Sequence, residues 1–201
     1  MADTSEGIPL LEGQGHTHEH DGSETAEEHA HAVNEHIWMS PARYARQVEN
    51  LRDALAEADP AHAAAYRANA ERYLAQVREM EARTSRLSQS LAGRDCATFH
   101  DSAAYLAADL SLHVTAALSI GEESGASAGE LAAAADALRG RDVLLLYDGQ
   151  YPVEYAYLAD YASSSRTVVL DTAVKPSTGA DPAVRWLDAM EANLRALENG
   201  G

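Results

Sequence analysis

The sequence predicts an α/β fold, with an open, mostly parallel four-stranded sheet, flanking helices and one long helix in front of the sheet. After Gly93, short apolar runs alternate with stretches of helical period, which is the pattern of chains that form a parallel sheet. Before Gly93, apolar residues recur at alternating spacings of four and three over several turns, which predicts a long amphipathic helix. The 201 residues suffice for one ordinary domain or two small lobes.

The first predicted helix begins at Pro41. Ser40 is a favoured N-cap, and proline is a favoured first helical residue. The pair Asp59-Pro60 ends this helix and opens the long one, with Asp59 as the N-cap of the long helix. Two consecutive helices are therefore predicted before Gly93.

The long helix is predicted over residues 61–91. At about 1.5 Å per residue it would reach about 45 Å, which is more than the width of a small lobe. The 4-3 spacing also fits a coiled-coil dimer. Because Ala70 and Thr84 are weak residues for such a seam, a helix packed along one edge of the fold is the favoured interpretation.

Four apolar runs in the second half of the chain predict the strands. One of them is apolar throughout, as expected of a strand that is buried on both faces. The predicted strands are 96–99, 114–120, 143–147 and 167–170. Helices are predicted between these strands and after the last of them. A capping box of Ser127 and Glu130 opens one of these helices. The predicted helices are 102–110, 128–138, 152–162 and 182–197.

Charge and cysteine content exclude several classes of protein. The chain has 15 Lys and Arg against 32 Asp and Glu, a net charge of −17, which repels nucleic acids and anionic membranes and attracts cations. Nucleic acid is therefore not expected as a partner. The single cysteine, Cys96, rules out an internal disulfide and a zinc site made of several thiolates.

The apolar runs and the N-terminus bear on membrane insertion and export. It has no apolar run of about 18 residues, the length that spans a bilayer as a helix. Residues 1–6 have neither the basic region nor the apolar core of a secretory signal. If the working protein is exported, we expect its signal to be missing from this chain.

Residues 1–33 contain a tract in which histidines alternate with acidic residues. The tract has too little apolar surface to offset the entropy of ordering, so a loop is predicted. Histidine-rich tracts of this kind favour weak, multidentate metal capture, and the alternative is a solvated acidic spacer. The histidines of the tract are His16, His18, His20, His29 and His31.

His36 is the histidine best placed to be held in a fixed position. It lies four residues before Ser40, the predicted N-cap of the first helix. Trp38 would bury its own indole ring and so anchor the same loop. A neutral imidazole held in this way is a suitable ligand for zinc or manganese. The alternative is a partly buried histidine that only bonds its neighbours.

Two further polar residues follow predicted strands directly. His100 comes after strand 96–99 and Asp171 after strand 167–170. Ligands of open α/β sheets bind at the carboxyl ends of strands. An imidazole and a carboxylate at neighbouring strand ends could form half of a metal site, although Asp171 could also simply cap a turn and His100 could hydrogen-bond a loop.

Several motifs of the chain resemble those of the metal-binding substrate-binding proteins of ABC transporters that import zinc or manganese, and most closely those of the zinc members. The motifs also occur in the same order along the chain. The sequence Ser5-Glu6-Gly7-Ile8 before the histidine tract is similar to the segment that precedes a ligand in those members. Residues 35–41 resemble their H-x-W stretch, and residues 98–101 their strand-end F-H-D. The pairs Glu122-Glu123, Gln150-Tyr151 and Leu170-Asp171, with Ser127, match later landmarks.

The resemblance implies a two-lobed protein with metal held between lobes that a long helix connects. His36 and His100 would be ligands, and Asp171 would fill the carboxylate position. Residues 1–59 would be the remnant of an N-terminal lobe, 60–92 the inter-lobe helix and 93–201 the C-terminal α/β lobe. Because family members carry the first lobe's sheet and a further histidine ligand before the position of Ser5, we expect a truncated form with an incomplete site.

The implied function is that of the extracytoplasmic zinc-binding component of an ABC metal importer, periplasmic or anchored as a lipoprotein, with a membrane permease as partner. Imidazole ligands favour Zn²⁺ over Mn²⁺, because a manganese site would contain more carboxylate ligands. The alternatives are a soluble, histidine-rich zinc buffer or chaperone and, less favoured, a zinc-dependent hydrolase. An enzyme is not expected, because the sequence has no G-x-S-x-G, H-E-x-x-H or phosphate-binding glycine loop.

Overall fold

The structure is a computed structural model that describes residues 2–13, 33–118, 125–151, 155–175, 181 and 184–199. Three features of the sequence lie outside these residues: the histidine tract, the Glu122-Glu123 pair and the predicted starts of two helices at Pro152 and Pro182. The helices are α1 (Pro41–Ala58), α2 (Ala63–Leu91), α3 (Ala104–Asp109), α4 (Ala128–Leu138) and α5 (Arg185–Glu198). The strands are β1 (Asp95–Thr98), β2 (His113–Ala117), β3 (Asp142–Asp148) and β4 (Ser164–Leu170).

The predicted cap of α1 is present, because the Ser40 hydroxyl accepts the Arg43 N–H at 3.3 Å. The long helix begins slightly later than predicted. A single 3₁₀ turn, Pro60–His62, precedes it, and the Asp59 carboxylate accepts hydrogen bonds from the His62 ring and the Tyr66 hydroxyl. The predicted 61–91 helix is therefore a 3₁₀ turn followed by α2.

Helix α2 packs against its own chain, in agreement with the favoured interpretation of a helix along one edge of the fold. Its buried residues are Leu74, Val77, Thr84, Leu87 and Leu91. It is also tied to α5 by Arg83, which makes ion pairs with Glu191 and Glu198. At its end Gly93 has a φ of +76°, a left-handed conformation that glycine adopts without strain.

The four strands form one sheet in the order β2-β1-β3-β4, and all three pairings are parallel. The predicted fold class is therefore confirmed. Leu144 and Leu146 of β3 belong to a core shared with α2, α3 and α5, whereas Leu145 on the opposite face packs with α4. This alternation follows from the two-residue period of a strand covered by helices on both faces.

Some predicted bounds differ from the structure. β4 begins at Ser164, three residues earlier than predicted, because its first residues are polar and gave no apolar signal. The described part of the predicted 152–162 helix is a 3₁₀ helix, Ala156–Tyr161. The capping box of Ser127 and Glu130 is present in full at the start of α4.

Cys96 lies within β1 and is fully buried. Burial, with a smaller effect of Asp95, raises the pKa of its thiol to about 12. A thiol in this state is not a nucleophile at neutral pH. In the described part of the chain, the helices are too short or too polar to cross a bilayer.

Candidate metal centre

The carboxyl ends of three strands bring polar side chains to one edge of the sheet. β1 leads to His100, β3 ends in Asp148 and β4 leads to Asp171. Because β3 lies between β1 and β4, His100 and Asp171 do not follow neighbouring strands, and that part of the sequence interpretation was wrong. The carboxylate next to His100 is Asp148, whose Oδ2 lies 3.6 Å from the His100 Nδ1.

His36 lies in the loop that leads into α1, at the start of the 3₁₀ turn Ile37–Met39. Its ring meets the His100 ring edge to face, with the centroids 5.1 Å apart. The two histidines predicted to be ligands are therefore adjacent, although one lies before α1 and the other after β1.

The His36 ring is oriented by Asn34, which is buried. The Asn34 Oδ1 accepts the His36 backbone N–H at 2.9 Å and lies 3.0 Å from the ring Nδ1. The Asn34 Nδ2 donates to the Asp101 carbonyl at 2.9 Å, which fixes the orientation of the amide. Because Oδ1 can only accept, the His36 Nδ1 carries the proton and Nε2 keeps its lone pair.

A buried tyrosine supports this arrangement. The Tyr105 hydroxyl donates to the Asn34 carbonyl at 2.8 Å and accepts the Leu11 N–H at 3.0 Å. Burial and, secondly, the charge of His100 lower the pKa of His36 below its ordinary value. The neutral form, which is the form that binds metals, is therefore favoured.

His100 has the opposite hydrogen-bond polarity. Its Nδ1 accepts the Ser102 backbone N–H at 3.1 Å. On its other side the ring stacks on Tyr151, with the centroids 5.1 Å apart. The alternative interpretation of His100, a residue that hydrogen-bonds a loop, is thus also realised in this structure.

Asp148 is only 4% exposed. Its Oδ2 accepts the Ser102 hydroxyl at 2.8 Å, and its Oδ1 accepts the Gln150 backbone N–H at 2.8 Å. Thr172 also bonds to it, through Oγ1 at 3.3 Å. Asp148 therefore ties the loops after β1, β3 and β4 together next to His100.

Trp38 connects the His36 loop to the loop after β4, as its proposed anchoring role required. Its indole Nε1 donates to the Thr172 carbonyl at 2.9 Å. Its own carbonyl accepts the Trp186 indole N–H at 2.8 Å. The segment that carries His36 is thus fixed to the segment that carries Asp171.

The carboxylate of Asp171 is engaged elsewhere. Its Oδ1 accepts the Arg185 guanidinium at 2.6 Å and the Ala173 N–H at 2.9 Å. Burial acts to raise the pKa of Asp171, but these two partners outweigh it, and the pKa lies below its ordinary value. The described residues include no group of three or more His, Cys, Asp or Glu side chains that could hold a metal ion, so Asp171 as a third ligand stays a prediction.

The remaining described histidines are outside this region. His62 and His113 are exposed at the ends of elements, where they pair with Asp59 and Asp95, respectively. Both therefore provide reference residues for the experiments below.

A family model described as ZnuA, zinc-uptake complex component A, periplasmic, matches residues 1–200. The chain belongs to this family. Among curated ZnuA-type relatives, the zinc-binding protein AdcA of Streptococcus pyogenes is 28% identical over 83% of this chain and 32% of AdcA. The high-affinity zinc uptake system protein ZnuA of Bacillus subtilis is 27% identical over 99% of this chain and 63% of that relative.

Solved structures agree with the ZnuA assignment of the fold. The crystal structure of a ZnuA is 25% identical, with a TM-score of 0.65 over 97% of this chain and 69% of the other. The Pseudomonas aeruginosa substrate-binding protein FpvC, solved with Ni²⁺, has a TM-score of 0.73 at 23% identity over 98% of this chain and 68% of FpvC. This chain spans about a third of the AdcA relatives it matches.

Sequence reasoning missed two residues of this candidate site. Asp148 directly follows an apolar strand just as Asp171 does, so the same strand-end argument could have found it. Asn34 stood two residues before His36, a spacing that lets one side chain reach both the backbone and the ring of the histidine. Only the fold shows that its amide also bonds the Asp101 carbonyl.

Proposed function

We propose that this chain is the zinc-binding part of an extracytoplasmic substrate-binding component, with Zn²⁺ as cargo and an ABC permease as partner. Membership of the ZnuA family and the zinc-binding relatives support this proposal. One further relative, from Streptococcus pneumoniae, is named a zinc-binding lipoprotein, which supports a location outside the cytoplasm. We infer a binding role rather than a catalytic one.

The observation that carries the proposal is the spacing of the two histidine rings. Two imidazoles on one tetrahedral zinc, at Zn–N distances of about 2.0–2.1 Å, have ring centres roughly 5 Å apart. The rings of His36 and His100 are 5.1 Å apart. Little rearrangement of the two loops is thus needed for both rings to reach one ion.

Asp171 is proposed as the third ligand. It lies next to Thr172, whose carbonyl is bonded to Trp38 of the His36 loop. To bind the ion, its carboxylate would leave Arg185, and the ion would replace the guanidinium as the neighbouring positive charge. Two imidazoles and one carboxylate suit zinc better than manganese, which prefers oxygen ligands.

The long helix fits the same proposal. We infer that residues 60–92 connect two lobes, with residues 1–59 belonging to the first and residues 93–201 forming the second. Helix α2 has 29 residues and is therefore about 43 Å long, enough to run past the sheet region. Its attachment to α5 through Arg83 would hold it rigidly against the second lobe.

The test is a zinc titration against a competing chelator. The histidine tract would contribute its own sites, so residues 14–32 are replaced by a short Gly-Ser linker. This replacement is feasible because Glu12 and Val33 at the two ends form an antiparallel bridge. We expect one tight step in this variant.

In that background, His36→Ala and His100→Ala are each expected to weaken the tight step by about tenfold or more. His62→Ala and His113→Ala are the matched controls, because each removes an exposed histidine that has an aspartate partner. A tight step that survives both ligand substitutions unchanged would refute the site. Loss of the step in the controls as well would show that the effect is not specific.

A further inference from the structure

The two histidines at the centre of the site are held by hydrogen bonds of opposite polarity. The His36 Nδ1 donates to an amide oxygen, whereas the His100 Nδ1 accepts a backbone N–H. A neutral imidazole has one protonated and one unprotonated nitrogen. The nitrogen left with a lone pair therefore differs between the two rings.

In His36 that nitrogen is Nε2, the atom free to bind a metal. In His100 the lone pair of Nδ1 is occupied by the Ser102 N–H, so the neutral ring carries its proton on Nε2. As it stands in this structure, His36 is ready to bind through Nε2 and His100 is not.

A second partner for the His100 Nδ1 is nearby. The Asp148 Oδ2 lies 3.6 Å from it, beyond hydrogen-bond length but within reach of a small rotation of the ring. The Ser102 hydroxyl donates to the same Oδ2 at 2.8 Å, so the two possible partners of Nδ1 are joined to each other. The Gln150 amide also donates to this Oδ2, at 3.3 Å, and the Thr172 hydroxyl donates to the other carboxylate oxygen.

We propose that Asp148 is a positioning residue for His100, and this inference rests on the proposed function. When Nε2 of His100 binds zinc, the ring gives up the Ser102 N–H and donates its Nδ1–H to the Asp148 Oδ2. One proton moves from Nε2 to Nδ1 of the same ring through water, so none is gained or lost. Such a carboxylate–histidine–zinc arrangement orients the ring and makes its ligating nitrogen more basic.

His36 already stands in the binding tautomer, whereas His100 can bind only after its ring has exchanged partners. Asn34 thus keeps His36 in the tautomer that binds zinc. The His100 Nδ1 has two possible partners, the Ser102 N–H without zinc and the Asp148 carboxylate with zinc.

The first test is ¹⁵N NMR of the histidine rings in the chain with residues 14–32 replaced. His36→Gln and His100→Gln assign the two rings. Without zinc, we expect the proton on Nδ1 in His36 and on Nε2 in His100. With one equivalent of zinc sulfate, His100 should be protonated on Nδ1 and bound through Nε2. A proton on Nδ1 of His100 before zinc is added, or zinc bound to Nδ1, would overturn the proposal.

The second test is Asp148→Asn, with Asp142→Asn as the matched control at the opposite end of the same strand. Asp142 is exposed, and its nearest cation, Arg94, lies 3.5 Å away. We expect Asp148→Asn to weaken zinc binding by about 10- to 100-fold. The zinc-free tautomer of His100 should not change, because the Ser102 N–H still holds it. The control should bind zinc like the parent chain.

The outcomes separate the two proposals. If His36→Ala and His100→Ala weaken binding and Asp148→Asn does not, the zinc site stands and the role of Asp148 is refuted. If neither histidine matters, the proposed function itself fails. Should Asp148→Asn fail to fold, the NMR spectra of the parent chain with and without zinc still decide the question.

Discussion

The imidazole rings of His36 and His100 meet edge to face, with an interplanar angle of 86° between them. In sequence His36 precedes the long helix and His100 follows it, and two contacts tie the His36 loop to the loops after β1 and β4. The Asn34 side chain bonds the Asp101 carbonyl next to His100, and Trp38 bonds the Thr172 carbonyl. The pair is thus a product of tertiary structure, held by hydrogen bonds to the backbone of neighbouring loops.

Asp171 and Arg185 should have opposite effects on zinc binding. Asp171→Asn removes the proposed carboxylate ligand and should weaken binding by about tenfold or more. Arg185→Gln releases that carboxylate from its ion pair and should strengthen binding about two- to fivefold, since exposed ion pairs are worth about 0.2–1 kcal/mol. Chelator competition measures both. Weaker binding in Arg185→Gln would argue that the arginine supports the site instead.

Asn34 should act on zinc through the His36 ring. Asn34→Ala leaves the ring Nδ1–H without its acceptor and should lower zinc affinity about 10- to 100-fold. Asn34→Asp keeps an oxygen at the same place and should lose less, although it cannot donate to the Asp101 carbonyl. Equal losses in the two variants would show that Asn34 acts through the fold of the loop and not through the ring.

The sequence was most informative where local chemistry sets the structure. The Ser40 cap, the capping box at Ser127 and the apolar period of the long helix depend on a few adjacent residues, and all three are present. The strand-end rule correctly placed His100 at the edge of the sheet. Local signals do not give the order of the strands, so the strand-end rule predicts Asp171 as the neighbour of His100 and misses Asp148.

The α1–α2 pair offers a matched test of which apolar residues stabilise the fold. Leu74 of α2 is fully buried, whereas Leu51 of α1 is 46% exposed. Leu74→Ala should lower the free energy of unfolding by about 2–5 kcal/mol because it leaves a cavity. Leu51→Ala should cost less than about 1 kcal/mol. Urea denaturation measures both, and equal losses would contradict the packing described here.

Asp95 should contribute to the pH dependence of stability. The His113 ring at 2.7 Å and, secondly, the Arg141 guanidinium at 2.9 Å lower the pKa of Asp95 in the folded chain. Its stabilising effect is therefore complete above the unfolded pKa of about 3.9, and it is lost as the pH falls through the folded value.

Asp95→Asn should accordingly be less stable than the parent chain at pH 7, with the difference shrinking below about pH 4. Thermal unfolding at a series of pH values measures this. Asp142→Asn, in the next strand, serves as the control because its carboxylate is exposed. A difference that stays constant down to pH 2 would mean that ionisation of Asp95 is not the source of its effect.

The central claim is that one zinc ion is bound by both histidines, and anomalous diffraction at the zinc edge tests it most directly. Crystals of the chain with residues 14–32 replaced would be grown with one equivalent of zinc. We predict that the strongest anomalous peak lies about 2.0–2.1 Å from Nε2 of both His36 and His100. A strongest peak that contacts neither ring would contradict the account.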